Sequence, residues 1–188
     1  MQVILILAAG ASSRMGGADK LLEPVRGVPL LRDRVTTAMA TGCPVHVTLP
    51  VHSPKRRAAL GGLDVALVPV EGTGMGASLA AGIASLPAKA MSVLVVLADM
   101  PDITNADMKS VLRADDGGEI LRGADENTPG HPVLFPRQFF AELRMLVGDD
   151  GAKQVIKSAG KSRLIPLPDR HALTDLDTPE DWADWRAR

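Results

Sequence analysis

The chain has 188 residues, 46% of them hydrophobic and 23% charged, which is enough to bury one core without disulfides or a structural metal. Lys plus Arg is 21 and Asp plus Glu is 22, so the net charge is -1; aromatics are 3% with no Tyr. That balance argues against a basic nucleic-acid surface and a base-stacking platform, and the single Cys43 excludes an internal disulfide framework or a Cys-rich zinc site and fits a reducing compartment.

Val3 to Leu7 is apolar at every position, which predicts a strand covered by helices on both faces. The spacing of Leu31, Val35, Ala38 and Met39 predicts a helix, followed by strands at Val45 to Leu49 and Val65 to Val68. Leu79, Ile83 and Leu86 repeat the helical spacing, and Val93 to Leu97 repeats the fully apolar strand. A third helix runs through Met108, Val111 and Leu112, opened by Thr104 with Asp107 three residues on, a capping-box pattern. Pro132 to Phe135 reads as a strand, Phe139, Leu143 and Leu146 as a helix, and Leu164 to Leu167 as a strand. The last helix starts at Thr178-Pro179-Glu180-Asp181, with Thr as N-cap, Pro at the first helical position and acids in the first turn. This alternation predicts a three-layer α/β fold, a mostly parallel twisted sheet with helices on both faces. Gly- and Pro-bearing turns fall at 10–17, 72–76, 117–118, 129–132 and 148–151, and none reads as a linker, so 1–188 is expected to be a single domain. The apolar runs are too short to cross a bilayer and the first lacks a basic flank, so we expect a cytoplasmic protein with neither membrane nor nucleic acid as partner.

The first turn carries the most chemistry. Leu7-Ala8-Ala9-Gly10-Ala11-Ser12-Ser13-Arg14-Met15-Gly16 runs from a buried strand into small residues, with Lys20 shortly after. Small residues let backbone N–H groups approach an anion, and Arg14 and Lys20 can neutralise a polyphosphate. It matches neither the P-loop nor the dinucleotide fingerprint, and a small-residue turn with two solvated cations stays open. Ala98-Asp99-Met100-Pro101 sets a carboxylate at the C-terminal end of an apolar strand, the edge where open α/β sheets bind ligands. Mg²⁺ bound with phosphate oxygens would satisfy it, and a helix-capping Asp is the other reading. Alternation puts Asp175 and Asp177 on one face of an extended segment, a pattern that also suits a helix entry. Glu71 to Ser78 precedes a helix and offers either ligand contacts or a flexible turn, and His131 either touches a substrate or is a satisfied turn residue. Cys43 reads as a small buried residue, and Trp182 and Trp185 as packing anchors.

These segments, with Gly74-Met75-Gly76-Ala77-Ser78-Leu79, Gly130-His131-Pro132-Val133-Leu134-Phe135 and Gly148-Asp149-Asp150-Gly151-Ala152, resemble the nucleotidyltransferases that finish molybdenum cofactors, over nearly the whole chain. The likeness is nearest to the molybdenum cofactor cytidylyltransferase branch. It implies a Rossmann-like nucleotide-diphospho-sugar-transferase fold and transfer of CMP from CTP to the terminal phosphate of molybdopterin, releasing pyrophosphate. By resemblance, the backbone at Ala8, Ala9 and Gly10 holds base and ribose, helped by Gly76 and Ser78. Arg14 and Lys20 bind the triphosphate, Asp99 and Asp177 hold Mg²⁺, and His131 lines the pterin side. Leu-Ala-Ala-Gly at the first turn goes with the cytidylyl branch and Leu-Ala-Gly-Gly with the guanylyl branch. Other readings are a transferase with another phosphorylated acceptor, a reductase on the same scaffold, or a cofactor carrier that serves an apo-molybdoenzyme.

Overall fold

A computed structural model describes residues 1–149 and 151–188. Seven strands form the main sheet: β1 (Gln2–Leu7), then β4 (Val45–Pro50), β5 (Ala66–Val70), β6 (Ser92–Leu97), β7 (Ile120–Asp125), β8 (Thr128–Pro136) and β9 (Ser162–Pro166). β2 (Pro24–Val25) and β3 (Val28–Pro29) make a small separate hairpin. The spatial order is β5-β4-β1-β6-β8-β7-β9. Parallel pairing joins β5, β4, β1 and β6, and also β7 and β9, while β8 runs against both of its neighbours.

The helices are α1 (Leu30–Met39), α2 (Pro54–Ala59), α3 (Met75–Ala84), α4 (Asn105–Arg113), α5 (Phe140–Arg144), α6 (Lys153–Ser158) and α7 (Pro179–Arg186). Strand alternation sends Ile4, Ile6, Leu94 and Val96 into a core with α1, α4 and α7. It sends Val3, Leu5, Val93 and Val95 into a second core with α3, α5 and α6. Covered on both faces, β1 and β6 must be apolar at successive positions, which is why they read so clearly. The expected capping boxes form: Thr104 and Asp107 exchange bonds of 3.1 and 2.8 Å, and Thr178 and Asp181 bonds of 3.2 and 2.8 Å. Trp182 is buried and meets Trp185 edge-on at 6.1 Å, with Arg186 above it, so both indoles anchor the last helix. Cys43 is half-buried, not enclosed as expected. No helix among the described residues is long and apolar enough to cross a membrane.

The departures from expectation are local. β5 lies slightly later than 65–68, α5 is shorter and stops before Leu146, and β7, α2 and α6 were not anticipated.

Candidate active site

β1 and β6 end side by side, and the loops that follow them leave the same edge of the sheet. With the Gly72–Ser78 loop they enclose a cavity of about 440 Å³, within the roughly 300–1,000 Å³ of small-molecule sites. Its wall includes Ala8, Ala9, Gly10, Arg14, Lys20, Ser78 and Asp99, but not Gly76, His131 or Asp177.

Ala8 is committed internally: its N–H donates to the Thr48 carbonyl at 3.1 Å and its carbonyl accepts from Arg56 at 2.7 Å. It therefore supplies wall, not the expected backbone bonds to a base. The N–H groups of Ala9, Gly10 and Ala11 donate to no group among the described residues. A Cβ on Gly10 would meet nothing within 4 Å, so the space beside this backbone is open to a ligand.

Arg56 was not singled out in the sequence, where Lys55-Arg56-Arg57 looks like a solvated charge run. It is 5% exposed and bonds Asp19 at 2.7 and 2.8 Å and Ser12 at 3.3 Å, besides Ala8. Asp19 also accepts from the Leu21 N–H at 3.1 Å, capping the turn that carries Lys20. One guanidinium thus pins both ends of the first loop. Arg56→Met should lower the free energy of unfolding by about 2–4 kcal/mol, because Asp19 loses its partner and a buried carbonyl loses its donor. Urea unfolding checks this; exposed Lys55→Met should shift stability by less than about 0.5 kcal/mol.

The charged centre lies at the end of β6. Lys20 Nζ is 2.5 Å from both Asp99 and Asp177, and Arg14 reaches Asp177 at 2.8 Å. The Leu176 N–H donates to the Asp99 carbonyl at 3.0 Å, which brings the two acidic segments together. Asp177 turns to the cations while Asp175 stays exposed. Burial alone disfavours the Lys20 ammonium, but Asp99 and Asp177 outweigh it and hold its pKa above the ordinary value. That ammonium is already engaged, so contact with a triphosphate requires it to exchange partners. Asp99 is no helix cap, since Thr104 caps α4. The loop after Asp99 is fixed by Arg34, which is fully buried, pairs with Asp33 at 2.5 Å and donates to the carbonyls of Met100 and Ile103.

Asp99 Oδ1 is buried with no hydrogen-bond partner among the described residues. Two carboxylates that share one cation, with one bare oxygen, fit a hard divalent ion. No group of three or more His, Cys, Asp or Glu is arranged for a metal among the described residues. An ion held by Asp99 and Asp177 would complete its shell with phosphate oxygens and water, as Mg²⁺ commonly does.

Gly76 serves a different contact from the one expected. Its N–H donates to the Gly148 carbonyl at 2.7 Å, and a Cβ there would press on the Val147 carbonyl oxygen at 2.7 Å. Its smallness lets two loops pack, so its N–H is not free for a nucleotide. Asp149 joins the cavity wall; Asp150 of the same motif lies outside the described residues. Ser78 donates to the Gly74 carbonyl at 3.1 Å, which leaves its oxygen as an acceptor in the wall.

His131 enters β8 on the far side of β6 from β1, its N–H donating to the Ala172 carbonyl at 2.9 Å. Gly130 passes Ala172 too closely for any Cβ. Burial, reinforced by Arg122 and opposed by Asp99, pushes the His131 pKa down to about 4, so the ring is neutral near pH 7. A second cavity of about 430 Å³ opens near Cys43 and His46 at the other end of β4. There His46 is already bonded to Ser85 at 2.9 Å.

Residues 4–164 match the model of the MobA-like NTP transferase domain. The chain is 28% identical to the nicotine blue oxidoreductase of Paenarthrobacter nicotinovorans, over 94% of this chain and 92% of that one. It is 29% identical to the molybdenum cofactor guanylyltransferase of Bradyrhizobium sp. strain ORS 278, over 96% and 89%. The crystal structure of Rv0371c from Mycobacterium tuberculosis H37Rv superposes with a TM-score of 0.90 at 27% identity, covering 100% of both chains. Its manganese complex superposes with a TM-score of 0.82 at 26% identity, covering 97% and 96%. The match runs from within β1 into β9 and takes in the first loop, Lys20, the Gly72–Ser78 loop and Asp99, so the chain belongs to the MobA-like NTP transferase domain family.

Proposed function

We propose that the protein transfers CMP from CTP to the terminal phosphate of molybdopterin and releases pyrophosphate. The observation that carries this reading is the Lys20–Asp99–Asp177 cluster beside the 440 Å³ cavity, whose wall includes Ala9 to Ala11, their N–H groups without an acceptor among the described residues. An oxygen of the acceptor phosphate bonds to the α-phosphorus of the nucleotide. The bond from that phosphorus to the α,β-bridging oxygen breaks, and its electron pair leaves with pyrophosphate. The acceptor arrives ionised, so alignment and charge neutralisation matter more than proton transfer. Ala9 and Gly10 would hold base and ribose, with Ser78 as an acceptor in the wall. Arg14 and Lys20 would neutralise the triphosphate. Asp99 and Asp177 would hold Mg²⁺, which supplies Lewis-acid stabilisation of phosphate charge. Manganese in the Rv0371c complex supports a divalent ion here.

Ala9 supports CTP, because its methyl group narrows the space a purine would need. The Bradyrhizobium relative favours a guanylyl reading instead. Ala9→Gly should raise the GTP/CTP ratio of kcat/KM roughly tenfold, the scale of one methyl group in a pocket. An unchanged ratio would show that Ala9 does not border the base. The reading as a whole is tested by pyrophosphate release from CTP, GTP, ATP and UTP with Mg²⁺ and a phosphorylated pterin. CTP should lead. Preference for GTP selects the guanylyl reading, and NAD(P)H oxidation without pyrophosphate selects the reductase suggested by the Paenarthrobacter relative.

A further inference from the structure

Five buried side-chain atoms lack a well-aligned hydrogen bond among the described residues: Asp99 Oδ1, Arg122 Nε, His131 Nδ1, Trp182 Nε1, and Arg163 Nε, which still has the Glu119 carboxylate at 3.1 Å. Native interiors hold few such atoms, because each costs roughly 1–3 kcal/mol and more when charged. Three of the five fall on neighbouring strands. Asp99 follows β6, His131 lies within the adjacent β8, and Arg122 lies on the next strand, β7.

Strand alternation fixes the face of Arg122. Val93 and Val95 of β6, Val133 and Phe135 of β8, and Ile120 of β7 all enter the core shared with α3, α5 and α6. Arg122 is two residues from Ile120 along a stretch that pairs regularly with β9, so its side chain belongs to that face, and His131 lies beside it in the irregular part of β8. Arg122 pairs with Val133, and the register shifts immediately beyond it, between Arg122 and Ala124. Gly123 passes the His131 carbonyl too closely for a Cβ. The extra residues lie on β8, between Pro129 and Val133, so the bulge re-aims the segment that holds His131 and leaves Arg122 in its regular direction. Arg122 and Asp99 are each near enough to His131 to affect its protonation, in opposite senses.

We infer that Arg122, with His131 beside it, forms an anion subsite for the phosphate of the acceptor, on the side of Asp99 away from β1 and the first loop. This rests on the transferase reading of the site and adds the group that would seat the second substrate. An acceptor phosphate must come close to an already anionic nucleotide, and a guanidinium offsets that repulsion. His131 adds a buried ring nitrogen, Nδ1, that has no hydrogen-bond partner among the described residues. The cations of the first loop, Arg14 and Lys20, are engaged with Asp177 and Asp99 on the other side.

Orthophosphate is the probe. The protein is saturated with Mn²⁺ and an α,β-methylene analogue of CTP, and broadening of the ³¹P signal by the bound Mn²⁺ reports phosphate held near Asp99. Wild type should give saturable broadening. Arg122→Gln should weaken phosphate binding about tenfold or more, with Mn²⁺ and analogue affinities unchanged within about twofold. Arg122→Lys should fall between the two, and serves as the test if Arg122→Gln does not fold. Equal phosphate affinity in wild type and either variant overturns the subsite while leaving the transferase reading intact. So does a wild type that binds Mn²⁺ and analogue but no phosphate. A wild type that binds neither Mn²⁺ nor analogue overturns both.

Discussion

Asp99→Asn should cut turnover by on the order of a hundredfold or more, measured as initial rates of pyrophosphate release at saturating CTP. Asparagine keeps the shape and one oxygen but loses the charge that a divalent ion and Lys20 both need. The fold should survive, because Lys20 retains Asp177 at 2.5 Å and the loop backbone is held independently by Arg34 and by the Leu176 N–H. Thermal melting within a few degrees of wild type would accompany the loss. A folded Asp99→Asn protein with an unchanged rate would remove Asp99 from the chemistry, and the orphaned Oδ1 would need another explanation.

Lys20→Ala should lower turnover on a similar scale, about a hundredfold, and weaken CTP binding. Lys20 is 9% exposed and is the cation shared by both carboxylates. Once nucleotide arrives, it is the nearest compact charge able to turn from carboxylate to phosphate. The metal should respond in the opposite sense. Removing the ammonium frees Asp99 and leaves Asp177 with Arg14 alone, so Mn²⁺ titrated against the nucleotide-free variant should bind no more weakly than to wild type. Arg113→Ala, on the exposed side of α4, should alter none of these quantities. Calorimetric titrations of CTP and Mn²⁺, with turnover in parallel, separate the effects. If Lys20→Ala and Arg113→Ala behave alike, the charge at Lys20 has no special role.

The parts of the molecule legible in the sequence are those set by local rules. β1 and β6 announce themselves because burial on both faces forbids polar residues, and α4 and α7 because capping boxes are written within four residues. β7 is hidden because Arg122-Gly123 interrupts its apolar run, and its pairing comes from β8 and β9. The reversal of β8 was also hidden. Its hairpin turns at Glu126-Asn127, which lacks the Gly that usually marks a tight turn, and Glu126 itself takes φ 50°.

In the site, Arg14, Lys20, Asp99 and Asp177 could be named from residue type and place in the chain. The structure brings these four into one cluster. What could not be read were the long-range anchors. Arg34 beneath the Asp99 loop and Arg56 beneath Ala8 sit in ordinary helical charge patterns, and only tertiary contact distinguishes them. The same limit hides the internal partners of Ala8 and Gly76, whose backbone groups bond Arg56, Thr48 and Gly148 across the fold.

The most direct test of nucleotidyl transfer follows the phosphorus atoms. The protein is incubated with Mg²⁺, a phosphorylated pterin and CTP labelled with ³²P at either the α or the γ position, and the products are separated. The account predicts that α-label moves into the pterin product while γ-label appears in pyrophosphate, in equal amounts. Label released as CMP or orthophosphate, or α-label absent from the pterin while the pterin is chemically changed, would contradict it.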